Sequence, residues 1–221
     1  MIFEWIGYQA GNGKVPESAA ADFRGLPNLV FRGDDNGAGH PGFDQCISEK
    51  INENKIRSKT KSGIWIWEWT FTGEGAMLEI LKVDTTRSYW FLYEGIPGGS
   101  FHPQQKYWGN NLDGIRYDTP PLKADSIIKG NWGWTFFGDK RKDRTLVIIQ
   151  LTPDQLEDNF SYMGSTSEGI HAFDGMVVMG FGRSGSTPLM STPNRFFVSF
   201  ADVKDDFKRL KKHVKKITRL H

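Results

Sequence analysis

Between Gly63 and Gly73 the chain reads GIWIWEWTFTG, with a large aromatic residue at every second position: Trp65, Trp67, Trp69 and Phe71. A period of two belongs to a β-strand, whose successive side chains point to opposite faces. Each such ring buries about 150–250 Å², so four of them open to water would form an apolar patch larger than a monomer ordinarily exposes. The opposite face begins apolar as well, at Ile64 and Ile66. Most of the row is therefore expected in a core, with Trp67 and Trp69 reaching the rim of a cleft.

The same alternation organises much of the chain. Ile64–Thr72 is followed by GEG, a connection of hairpin length, then by AMLEILKV; the turn DTTR leads to SYWFLYEG, which completes a three-strand meander. NWGWTFFG, the charged turn DKRKD and RTLVIIQLT follow; the continuous apolar middle of the last predicts a central strand buried on both faces. MVVMGFG and RFFVSFAD add two more. Ahead of residue 64, IFEWIGY, NLVFRG, DQCISEK and KIRSKT read as weaker strands around the loop GDDNGAGHPG. With 25 Gly and 10 Pro placed between short runs, the pattern predicts an all-β domain over 1–201. The expected architecture is an antiparallel two-sheet β-sandwich of jelly-roll or mutarotase-like form.

Residues 202–221 differ in kind. Val203, Phe207, Leu210, Val214 and Ile217 recur at spacings of four and three, with Asp202 placed to cap the first turn. This predicts a basic amphipathic helix packed on the sandwich or extending from it. From Ala201 onward there are eight Lys/Arg against three Asp, so of the net +2 the tail carries +5 and the rest −3. An acidic body argues against a nucleic-acid footprint across the fold. No apolar run approaches the roughly 18 residues of a membrane span. The opening MIFEWIGYQAGNG has neither the basic start nor the long apolar run of an export signal. The single cysteine, Cys46, forms no internal disulfide and is expected as a buried thiol.

Between Gly95 and Gly130 the periodicity lapses, and a long irregular loop of this kind is usually functional. The stretch YWFLYEGIPGGSFHPQQKYWGNN combines aromatic rings, which stack on the C–H face of a sugar, with amides, a carboxylate and an imidazole that bond its hydroxyls. Trp67, Trp69, Trp90, Trp108, Asn110 and Arg116 are the candidate substrate-binding residues, and His102, Tyr107 and Glu94 the candidate acid/base groups. Glu68, Glu79 and Glu168 are further carboxylates for a glycosidic pair, and Arg183 and Arg195 further cations for an acidic sugar. His40, His102 and His171 stand at no metal-binding spacing, so neither a metal nor a cofactor is expected. GFGRSGS lacks the following helix of a phosphate loop, and Asn159-Phe160-Ser161 is a bare match to a glycosylation acceptor.

The run SGIWIWEWTFTG with YWFLYEGIPGG, YWG, WTFFGD, MVVMGFGR and RFFVSFAD resembles an uncharacterised family of bacterial β-sandwich proteins associated with polysaccharide breakdown. The resemblance covers roughly residues 40–201 and implies a polysaccharide or oligosaccharide ligand and an extracellular or periplasmic location. Together these readings lead to the expectation of a polysaccharide-degrading enzyme of lyase or glycosidase type. The alternatives are a non-catalytic carbohydrate-binding module and a structural or partner-binding sandwich.

Overall fold

The computed structural model describes residues 28–30, 46–95, 103–117, 127–163 and 176–221. Every strand pairing among them is antiparallel, in two large sheets and one small ribbon. The larger sheet has nine strands. In spatial order they are β2 (Cys46–Asn52), β3 (Lys55–Thr60), β4 (Ile66–Phe71), β5 (Ala76–Lys82), β16 (Arg195–Ala201), β11 (Thr145–Gln150), β10 (Trp134–Asp139), β7 (Lys106–Asn110) and β8 (Gly114–Arg116). The smaller sheet orders β1 (Asn28–Val30), β6 (Trp90–Gly95), β13 (Met176–Phe181), β12 (Asp158–Met163) and β9 (Ile128–Gly130). β14 (Arg183–Ser184) and β15 (Thr187–Pro188) make the ribbon, and the helix α1 spans Phe207–Leu220. Among the described residues no helix is long and apolar enough to cross a membrane.

The two sheets stack through rings donated alternately by each. Phe91 of β6 lies 4.3 Å from Phe196 of β16, Tyr93 4.8 Å from Phe137 of β10, and Phe160 of β12 4.7 Å from Trp108 of β7. The strands of the nine-stranded sheet have a second apolar face, and α1 covers it. Along β10, Phe137 faces the smaller sheet while Trp134 and Phe136 join Val147, Ile149 and Phe197 beneath Leu210, Val214 and Ile217 of the helix. This explains the unbroken run in β11, all six residues of which are buried. Burying those three helix side chains stabilises the packed state by on the order of 6 kcal/mol, an upper value. The expected tail is thus the third layer of the molecule.

Four local expectations change. Asp206, not Asp202, caps α1: it is extended, and its carboxylate accepts from Arg209 N at 3.0 Å, whereas Asp202 pairs with Arg144. The supposed irregular stretch after Gly95 contains β7 and β8, a hairpin whose turn is held by Asn110. Cys46 is partly exposed on the edge strand β2. Asn159 is fully buried and donates to the Arg183 carbonyl at 3.0 Å, which removes it as a glycosylation acceptor in the folded chain. The strand expected at IFEWIGY lies outside the described residues.

Candidate functional site

Three strands of the nine-stranded sheet set the geometry around the aromatic row. β4 runs between β3 and β5 with Trp67 opposite Ser58 and Ile80, and Trp69 opposite Ile56 and Leu78. Register therefore puts Trp65, Trp67, Trp69 and Phe71 on the face that Leu78 and Ile80 turn toward the smaller sheet. Burial falls along the row. Trp65 is sealed, edge-on to Tyr89 at 5.3 Å, while Trp67, Trp69 and Phe71 are half-buried. The planes of Trp69 and Phe71 lie within 15° of parallel, centroids 6.4 Å apart. Ile56, 37% exposed, and the bonded pair Ser48 and Ser58 (Oγ–Oγ 2.7 Å) continue the same face across β3 to the edge strand, where Lys50 pairs with Ile56. Trp67 and Trp69 are partly buried and pack against the core between the sheets. The serines and Ile56 were not singled out by sequence; the alternation in CISEKIN and KIRSKT carries the signal, but only the register shows which set joins the tryptophans.

The remaining candidates are distributed elsewhere. Trp108 is sealed between Phe160, at 4.7 Å, and the Arg116 guanidinium, 5.0 Å above its ring. β7 and β4 are five strand spacings apart in the sheet, about 24 Å at the usual interstrand distance. Asn110 is fully buried, accepting from Leu112 N and Asp113 N at 2.8 Å and donating to Asp113 Oδ2 at 2.9 Å. Trp90 is buried in the five-stranded sheet, with the Arg183 guanidinium 5.0 Å from its ring. Glu94 occupies β6 opposite Val178. His102 lies outside the described residues, as do His40, His171 and Glu168.

Tyr107 belongs to the core beneath the helix, on the opposite side of the sheet from Trp67 and Trp69. Its ring lies across Gly138, where a Cβ would come within 2.0 Å of ring carbon Cζ, so the glycine is required by close approach. The hydroxyl is fully engaged: Asp205 N–H donates to it at 3.1 Å, and it meets Thr145 Oγ1 at 2.7 Å. Thr145 in turn gives its proton to the Val203 carbonyl at 2.6 Å, which makes Tyr107 the donor in that pair. Burial raises the phenol above its ordinary value against the lowering effect of these bonds. A buried phenol pushed upward is poorly suited to lose a proton near neutrality.

Three buried carboxylates complete the electrostatics. Asp139 receives Lys106 Nζ at 2.7 Å and Arg141 Nη2 at 2.6 Å. Burial alone would raise its pKa, but hydrogen bonds from Arg141 and Lys106 outweigh it and hold the carboxyl far below the usual range. Asp158 accepts from Trp132 N at 2.6 Å and Gly182 N at 2.8 Å, tying the approach to β10 to the end of β13. Burial pushes its pKa up to about 7 against the lowering effect of these two backbone bonds. Glu68, by contrast, bonds Lys55 at 2.7 Å and Arg57 at 2.7 Å on the back of β4, and these bonds lower it despite burial. Among the described residues no group of three or more His, Cys, Asp or Glu is placed to hold a metal ion.

Comparison with protein-family models, with curated proteins and with solved structures gives no match to this chain.

Proposed function

We propose that this protein is a carbohydrate-binding β-sandwich whose glycan lies along Trp67, Trp69 and Phe71, with Ser48 and Lys50 of the edge strand bonding its hydroxyls. The observation that carries this reading is the graded burial of the row: Trp65 sealed, then Trp67, Trp69 and Phe71 half-buried beside the near-parallel pair of Trp69 and Phe71. Half-buried indoles on a strand are rigid, so they offer a flat apolar face at little entropic cost on binding. Polar side chains on the neighbouring strands supply direction. Binding is preferred to cleavage because the Tyr107 hydroxyl is committed to the helix side of the sheet.

The test is electrophoretic retardation of the intact chain in gels carrying a panel of neutral and acidic glycans, with reducing-end and ultraviolet assays on the same incubations. Retardation by at least one glycan is expected, without product, and Trp67→Ala and Trp69→Ala should each weaken it by about tenfold or more. No retardation across the panel, or an undiminished double variant, would exclude the site. New reducing ends or an unsaturated uronate signal would replace binding by catalysis.

A further inference from the structure

We infer that the outer face of α1 is a docking surface for an anionic lipid bilayer, held there chiefly by charge. Between Phe207 and His221 the chain has seven Lys/Arg and no Asp or Glu. At 100° per residue, Lys208, Lys212, Lys215 and Arg219 fall within roughly 60° of one another, along about 17 Å of helix. That stripe is diametrically opposite Leu210, Val214 and Ile217, which are buried on the sheet. All four cations are exposed and, among the described residues, none forms an ion pair. On the flanks Lys216 approaches Glu74 only to 3.8 Å and Arg209 bonds the Asp202 carbonyl at 3.2 Å.

Three features favour a bilayer over other polyanions. The first is the breadth of the positive face. With Arg209, Lys211 and Lys216 the cations span about 160° of a helix some 10–12 Å across, so all lie within one Debye length, about 8 Å, of a plane resting on the ridge. A linear chain would meet only the central stripe. Second, apart from its ammonium and guanidinium groups the face offers no free hydrogen-bonding side chain with which to read sugar hydroxyls or base edges. Its one uncharged polar residue, Thr218, turns its hydroxyl onto the Val214 and Lys215 carbonyls at 3.1 and 3.4 Å. Third, Lys predominates over Arg, and an ammonium is a point charge rather than a bidentate fork. Because Leu210, Val214 and Ile217 are already covered by the sheet, only Leu220 at the helix end, 57% exposed, is left to insert, and the association is chiefly electrostatic, peripheral and sensitive to salt.

The experiment is cosedimentation of the full chain with phosphatidylcholine vesicles, with and without about 30% phosphatidylserine, at roughly 50 and 300 mM salt. Binding is expected only to the serine-containing vesicles, with release at the higher salt. Lys208→Gln/Lys212→Gln/Lys215→Gln should bind on the order of 100-fold more weakly, and Arg219→Gln alone about fivefold, since each cation near such a surface is worth about a factor of five. Lys61→Gln/Lys129→Gln, away from the helix, should bind like the parent, and all variants should keep the parent's circular dichroism. Equal binding to both vesicle types, retention at high salt, or an unweakened triple variant would overturn the inference. So would binding to duplex DNA or to a soluble polyuronate that is tighter than to the vesicles and is lost in the same triple variant. These outcomes are independent of glycan binding at Trp67 and Trp69, which lie on the other face of the sheet.

Discussion

Tyr107→Phe separates a structural phenol from a catalytic one. Removing the hydroxyl leaves the ring over Gly138 but deletes the acceptor of Asp205 N–H and the donor to Thr145 Oγ1. Two bonds go, at about 1 kcal/mol each, and the partly buried N–H loses its partner, for a total of roughly 2–3 kcal/mol. Asp205 has φ of 51°, a left-handed conformation that costs energy in a residue with a Cβ. The bond from its N–H and the one its carboxylate accepts from Tyr117 (2.5 Å) hold it there. In a chain of 221 residues such a loss corresponds to a fall in Tm of roughly 5–10 °C. Thermal unfolding followed by circular dichroism reads the shift, and glycan retardation should be unchanged in the folded variant. A Tm within about 1 °C of the parent, combined with loss of a glycan-directed activity, would refute the structural assignment and restore Tyr107 as a reacting group.

Asp158→Asn should invert its effect with pH. The carboxyl's pKa rises from 3.8 to about 7 on folding. The folded chain therefore binds more protons between these values, and this group's contribution to stability falls as pH rises, by up to roughly 4 kcal/mol. An amide cannot accept from both Trp132 N and Gly182 N, so the variant should be less stable than the parent at pH 4 and should overtake it by pH 8. A gap that stays constant with pH in urea titrations would contradict the assignment; His213, common to both proteins, cancels in the difference. Lys106→Met removes a buried cation from the fully buried Asp139 and should cost about 3 kcal/mol, measured by urea unfolding. Arg141→Ala should cost less, since that side chain is 42% exposed.

The legible parts of the fold were those with a local period. Trp65 to Phe71, the buried run in β11 and the apolar stripe from Leu210 to Ile217 each declare strand or helix from neighbours alone. What escaped depends on distance along the chain. Nothing local says that β5 pairs with β16, or that Gly109 and the Asn110 turn conceal a hairpin in a stretch that reads as loop. Residues 202 and 206 are both aspartates with a backbone N–H three residues on, so composition cannot choose the cap. The same limit applies to the site. An indole in a glycine-rich stretch reads alike whether it stacks on a sugar or on Phe160, as Trp108 does. Only the five strand spacings between β7 and β4 separate the two groups that sequence had merged.

Residue-level oxidative footprinting of the tryptophans, with and without a retained glycan, bears most directly on the proposed glycan-binding shelf. Trp67 and Trp69 should react well ahead of Trp65, Trp90, Trp108 and Trp132, and saturating glycan should protect the first two alone. Protection centred on Trp90 or Trp108, or none at Trp67 and Trp69 under conditions of measured retention, would place the ligand somewhere other than the shelf on β4.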